Sequence, residues 1–393
     1  MSRRPPTALI FTISLTGILN NTLVTPAVPD ILAEFGVPSD RAGILVSSGA
    51  VAGIVLAPII GLLADRFGRR IVLVACLIVF AAFGGLTSLA PTFGILLVAR
   101  LLQGFGSAGL INLAIVLISD YWSGADRTRL VGRNSAVLTV GLASLPLLSG
   151  VISEAFGWRI TFLVYTVAFA TAGWAWLVLD SRRPASPPAI GRQMRMALAA
   201  AHHPVPATTM GLAFLVFVSI FGGLLTVLPV HLADEFGLDA AARGFFLSVP
   251  AVTSTVVALG VSRIRASLAP AVIVGITATI WVAAFLTLGL APSLMVIAIG
   301  ALLFGLGEGS LIPTLQDVIV ESAPDDQRGA LVAIWVGFAR LGQTVGPLLG
   351  GVGIALLGTG STMVAMSAVA AIIAIAGWRG PLRSLGRQMS DAA

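Results

Sequence analysis

The chain repeats itself without a gap at an offset of 201 residues, which restricts it to folds made of two copies of one unit. Glu34-Phe35-Gly36 returns as Glu235-Phe236-Gly237, and Leu89-Ala90-Pro91 as Leu290-Ala291-Pro292. Leu101-Leu102, Gly104 and Gly106 return as Leu302-Leu303, Gly305 and Gly307. Arg127, Gly141, Pro146-Leu147-Leu148 and Gly150-Val151 return as Arg328, Gly342, Pro347-Leu348-Leu349 and Gly351-Val352. The matches mark scaffold. The mismatches mark where the two copies divide their work.

The solvent of this chain is mostly lipid. It is 57% hydrophobic and 10% charged, with mean hydropathy +1.01, whereas a soluble domain carries about 25% charged residues. Apolar stretches of the roughly 20 residues that cross a bilayer fall near 8–28, 42–63, 71–90, 93–119, 131–153 and 160–179, and again near 208–230, 242–261, 270–290, 293–318, 329–357 and 361–378. Lipid offers the backbone no hydrogen bonds, and these runs lack barrel-type alternation, so they are helices. The expected fold is an all-α integral membrane bundle of twelve transmembrane helices in two pseudo-symmetric halves, 1–180 and 207–393. A cytoplasmic linker over 181–206, rich in Pro and Arg, joins them. No cleavable signal peptide is expected at the N-terminus.

All 23 basic residues are arginine. With the N-terminus in the cytoplasm, 18 of them fall on the inner side and 3 on the outer, with Arg100 and Arg340 inside helices. That bias sets both termini inside, and the plasma membrane is the expected location. The arginines therefore orient the protein and do not signal nucleic acid. The single cysteine, Cys76, and His202, His203 and His231 form no metal motif. No nucleotide loop and no nucleophile with a base appear, so neither an enzyme nor a cofactor is expected.

Several motifs carry more than topology. Gly61-Leu62-Leu63-Ala64-Asp65-Arg66-Phe67-Gly68-Arg69-Arg70 lies between the second and third helices. It reads as a charged turn at least, with glycines that permit close approach. Arg100-Leu101-Leu102-Gln103-Gly104 puts a cation roughly 10 Å into the fourth helix. An arginine at that depth costs about 2.5–3.5 kcal/mol on insertion scales, so it seeks the bundle interior or snorkels to the surface. Glu308 lies mid-helix in Gly305-Leu306-Gly307-Glu308-Gly309. A carboxyl group buried without a partner takes up protons near neutral pH, although a structural pair with Arg340 is the plainer reading. Gly342, Gly346, Pro347, Gly350 and Gly351 form a small-residue, proline-kinked stripe suited to close helix packing, as does Pro146 in the first copy. Asn20 and Asn21 offer hydrogen bonds on the first helix. Asp120 with Arg127, and Glu321 with Arg328, suggest matching charged clusters at the cytoplasmic ends.

Taken together, the helix count, the six-plus-six repeat, the linker and these motifs resemble the major facilitator superfamily of secondary transporters. The 61–70 stretch looks like that family's cytoplasmic gating motif, which implies that Asp65 helps latch the two halves. Its second copy, near 262–271, has lost the pattern and keeps only Arg263 and Arg265. The 100–104 stretch resembles the motif associated with proton transfer. The 342–351 stretch resembles the antiporter motif, which the family places in its fifth helix, where Leu145 and Ser149 here replace glycines. The resemblance implies a monomer in the bilayer that exports a small amphipathic or drug-like molecule by alternating access, with protons as the coupling ion. Uptake of a nutrient is the alternative, although the sugar-transporter signature is absent at 179–183. A non-transporting sensor is the other alternative. Asp65, Arg100 and Glu308 have no counterpart in the other copy, so the division of labour is expected there.

Overall fold

In a computed structural model the chain is all-helical among its described residues, which are 4–180, 201–322 and 328–383. Eleven helices are long and apolar enough to cross a membrane, and a bent pair supplies the twelfth. In chain order they are α1 (Thr7–Glu34), α2 (Ser39–Ile54 with Ile59–Phe67, bent by 47°), α3 (Arg69–Thr87), α4 (Phe93–Tyr121), α5 (Gly124–Phe156) and α6 (Trp158–Val178). Then come α7 (Pro204–Phe236), α8 (Ala240–Ser267), α9 (Pro270–Gly289), α10 (Leu294–Glu321), α11 (Arg328–Leu357) and α12 (Thr359–Arg379). The expected linker lies largely outside the described residues, and α7 begins at Pro204.

The spans are less regular than hydropathy suggests, and the irregularities have chemical causes. Pro26 cannot donate a backbone hydrogen bond, and α1 breaks from α-helix at Thr22 into a 3-10 turn at Thr25–Ala27. In α2 the first helical piece stops at Ser48, with Gly49 as its cap. In α7 the residues Ser219–Val227 wind as a π-helix. The Thr226 hydroxyl there donates to Phe221 O, five residues back, at 2.7 Å. Wide turns of this kind are rare and concentrate at functional sites.

The chain divides into two compact units: Met1–Pro188 with Leu238–Ser248, and Ala189–Gly237 with Val249–Ala393. The division departs from the expected 180/207 boundary because the first turns of α8 pack with the first unit. Gly150 and Gly244 permit this, since a Cβ on either would run into backbone, at Ala240 O and Pro146 O respectively. Arg243, 3% exposed, binds Asp30 and donates to Pro26 O at 2.9 Å and Leu238 O at 2.7 Å. None of this was legible in the repeat, because Arg243 has an alanine, Ala42, in the corresponding place.

Each unit has its own aromatic core. In the first, Phe80 and Phe162 flank Tyr165 at centroid distances of 5.3 and 5.6 Å. In the second, Trp281 stacks on Phe304 at 4.5 Å and donates to the Phe304 carbonyl at 2.8 Å. The glycine stripe of α11 packs closely on α7 in the second unit. A Cβ on Gly222 would lie 2.6 Å from Gly346 O, and one on Gly350 would lie 3.0 Å from Gly222 O. A Cβ on Gly342 would run into Phe214 O. Pro347 lies inside α11 and Pro146 inside α5. Gly222→Leu must push α7 and α11 apart, and overpacking of this kind costs about 1–3 kcal/mol. Its melting temperature in detergent should fall below that of the wild type. Gly211→Leu on the same helix, where a Cβ meets nothing within 4 Å, should melt like the wild type.

Candidate functional site

Arg100 is the centre of the first unit's polar interior. It is fully buried, with 0% exposure, and no carboxylate among the described residues pairs with it. One terminal nitrogen donates to Gln103 Oε1 at 2.8 Å and to the Tyr165 hydroxyl at 3.3 Å. The other donates to Asn20 O at 2.7 Å. The Tyr165 hydroxyl also donates to Asn20 O, at 3.3 Å. Asn20 lies in the last turn before the break of α1, where helix carbonyls are freed and carry partial negative charge. The break therefore supplies the negative end that a carboxylate would otherwise provide. The Asn20 side chain turns to the other break, donating to Gly49 O at 2.9 Å, and leans on Asn21 Oδ1 at 3.3 Å. Gly49 must be glycine, since a Cβ there would lie 2.6 Å from the Arg100 guanidinium. Gly104 is pressed against Gly49 O in the same way.

The snorkelling reading of Arg100 is thus excluded, and two partners that the sequence did not indicate, Tyr165 and Gly49, complete the site. At the same address in the second unit, 201 residues on, the polar groups are gone. Arg100, Gln103, Asn20 and Tyr165 correspond to Ala301, Phe304, Phe221 and Met366, and Gly84 to Phe285. Phe304 fills that place by stacking on Trp281.

The second unit keeps its charges elsewhere. Glu308 lies mid-way along α10, half-buried, and has no hydrogen-bond or ion-pair partner among the described residues. The expected alternative, a pair with Arg340, is not formed. Arg340, on α11, instead reaches Gln343 Oε1 at 3.5 Å, an Arg-x-x-Gln arrangement like that of Arg100 and Gln103. Glycines surround Glu308: Gly305 and Gly309 lie against the α8 backbone at Pro250 and Ser254, and Gly307 against the Trp281 ring.

At the arginine-rich ends each unit holds an arginine between two acids. Arg69 binds Asp65 and Asp120, the latter at 3.2 Å. Arg265 binds Asp317 and Glu321, the latter at 2.9 Å. The expected clusters need correction here. Asp120 pairs with Arg69 and not Arg127, which is exposed, and Glu321 pairs with Arg265. The Arg328 side chain lies outside the described residues. The second copy has lost the motif's pattern but retains its ion cluster, rebuilt with the arginine on α8 and both acids on α10. Gly68, at φ +95°, makes the turn from α2 to α3. Gly61 leaves open space beside it. Arg70 stacks on Trp176 at 4.1 Å and donates to Leu179 O at 3.2 Å, and Arg66 lies over Phe67 at 5.6 Å.

The sequence profile of the Major Facilitator Superfamily matches residues 10–279 and 270–386. The chain belongs to that superfamily. It is similar to the bacillibactin exporter of Bacillus subtilis (strain 168), with 22% identity over 349 residues, 85% of this chain and 86% of the relative. It is also similar to the multidrug transporter protein MdtP of the same organism, 33% identical over 148 residues, which is 37% of this chain and 27% of MdtP. Among solved structures, a bacterial homologue of the human lysosomal transporter Spinster aligns over 95% of each chain with TM-score 0.81 and 18% identity. A D-xylose-proton symporter aligns over 95% of this chain and 97% of its own with TM-score 0.81 and 16% identity. The superfamily's twelve-helix fold and a transporter's role, not an enzyme's, follow from these matches.

Arg100 owes its burial to a fork that serves several acceptors at once, each charge-assisted bond contributing about 1.5–3 kcal/mol. Arg100→Lys keeps the charge and loses the fork. It should lower the melting temperature in detergent, whereas Arg127→Lys, at an exposed position, should leave it unchanged.

Proposed function

We propose that this transporter exports a small, partly apolar molecule across the plasma membrane against proton entry, by alternating access, with Glu308 as the group that carries the proton. The observation that carries this reading is the contrast between the two membrane-depth charges. Arg100 is held through its two terminal nitrogens by Gln103, Tyr165 and Asn20 O and stays cationic, so it organises α1, α4 and α6 without exchanging protons. Glu308 has no ion pair and no hydrogen bond among the described residues. A half-buried carboxyl group in that setting gains and loses a proton at little structural cost. The two roles thus fall to different units: Arg100, Gln103, Asn20 and Asn21 hold a rigid polar interior, and Glu308, with Arg340 nearby in sequence on the next helix, couples to the gradient. The Asp65–Arg69–Asp120 cluster fits the latch that the gating motif implies. Export is favoured over uptake by the exporter and multidrug transporter among the similar proteins. Both termini are assigned to the cytoplasm by the arginine bias.

The test is dye accumulation in cells producing the protein at matched levels, with and without a protonophore. The wild type should lower accumulation, and the protonophore should abolish that effect. Glu308→Gln should accumulate dye as the protonophore-treated wild type does and no longer respond to the protonophore. Protonophore-sensitive export by Glu308→Gln would falsify the assignment of Glu308. Accumulation above the level of empty cells would reverse the direction to uptake.

A further inference from the structure

The repeat supplies an internal reference for a site at the end of the second unit opposite Arg263 and Arg265. In the first unit that end is closed by Arg159. Its guanidinium binds Glu34 Oε1 at 2.8 and 3.1 Å and donates to Ser88 O at 2.8 Å and Ala90 O at 3.1 Å. It stacks on Trp158 at 4.4 Å, and the Trp158 ring nitrogen donates to the other oxygen of Glu34 at 2.5 Å. One carboxylate, two carbonyls and two aromatic rings, Trp158 and Phe35 (the latter at 5.9 Å), thus form a guanidinium cradle that ties together the ends of α1, α3 and α6.

Moving 201 residues along converts Glu34 to Glu235, Ser88 to Gly289 and Ala90 to Ala291, so the carboxylate and both carbonyl positions are kept. Trp158 and Arg159 become Thr359 and Gly360. The second unit therefore has the cradle without the side chain that fills it. In that place lies a polar cavity of about 510 Å³, lined by Glu235, Phe236, Gly289, Ala291, Thr359 and Gly360 among others. Cavities of this size accept small molecules, for which the usual range is about 300–1,000 Å³. The Glu235 carboxylate is exposed and has no hydrogen bond or ion pair among the described residues. The Thr359 hydroxyl does not take over Trp158's bond to the carboxylate, because it is engaged 3.0 Å from Nδ1 of the buried His231. A Cβ on Gly360 would lie 2.9 Å from Gly289 O, so the carbonyl is directed at the position from which the arginine has been removed.

We infer that this cavity binds a small organic cation bearing a guanidinium group, held by Glu235 and the backbone carbonyls of Gly289 and Ala291 and bounded by Phe236. The ligand takes the place that Arg159 occupies in the first unit and braces the ends of α7, α9 and α12. A carboxylate pairs with the fork of a guanidinium through parallel charge-assisted bonds, and the carbonyls accept the remaining protons, which selects donors over quaternary cations. The site is separate from Glu308, so it stands or falls independently of the coupling assignment.

The experiment is calorimetric titration of n-butylguanidinium chloride into the purified full-length protein in detergent, at constant ionic strength. Saturable binding is expected, with none for tetramethylammonium, which has no N–H to donate. Glu235→Gln, a change at an exposed position, should weaken binding by about tenfold or more, equivalent to about 1.4 kcal/mol. Ser361→Trp, at the cavity wall, should remove it, and Glu308→Gln should bind as the wild type does. The proposal is overturned by absence of saturable binding, by equal binding of tetramethylammonium, or by an affinity that Glu235→Gln leaves unchanged.

Discussion

A guanidinium buried at membrane depth without a carboxylate has to be neutralised by dipoles, and the first unit is arranged around that requirement. Arg100 can be held only where helix carbonyls are freed, so α1 has to break near Asn20 and α2 near Gly49. The breaks in turn need glycine at 49 and 104 to let three helices meet, and tyrosine at 165 to share the Asn20 carbonyl. Broken helices at the midplane are usually read as binding devices. Here they are first of all the counter-charge of an arginine.

The second unit solves the opposite problem. Without Arg100 its corresponding position carries no charge, and aromatic stacking of Trp281 on Phe304 fills the space. The unit is then free to place a carboxylate elsewhere, at Glu308, between glycines packed closely against α8 and Trp281. One copy thus has a polar interior built around Arg100, and the other a more apolar one that carries Glu308 without a hydrogen bond or ion pair among the described residues. Gene duplication provides the scaffold, and the loss of symmetry distributes the chemistry over it.

The sequence made legible what depends on periodicity and register. The spans, the pseudo-symmetry and the place of Arg100 and Glu308 within their helices could be read from it, whereas the lack of a pair between Glu308 and Arg340 could not. It did not reveal contacts set by side-chain reach across distant positions. Tyr165 lies 65 residues from Arg100, and no local pattern links them. Arg265 looked like a remnant because the motif's spacing was gone, yet the ion cluster survives, since electrostatics requires an arginine between two acids and not a particular helix to supply it. The boundary at α8 was hidden for a similar reason: Gly150, Gly244 and Arg243 act by proximity that hydropathy does not record.

The π-helical stretch at Ser219–Val227 has a consequence for how this chain can change over time. In an α-helix, each residue gained or lost turns everything beyond it by about 100° and carries a buried face toward lipid. A π turn already holds more residues than α geometry needs, so α7 can surrender one there by tightening. Length differences between the two halves can therefore be absorbed within that segment, leaving Glu235 and the end of the helix facing as before. Among the described spans, α7 is the one in which a deletion is a change of winding and not a change of address.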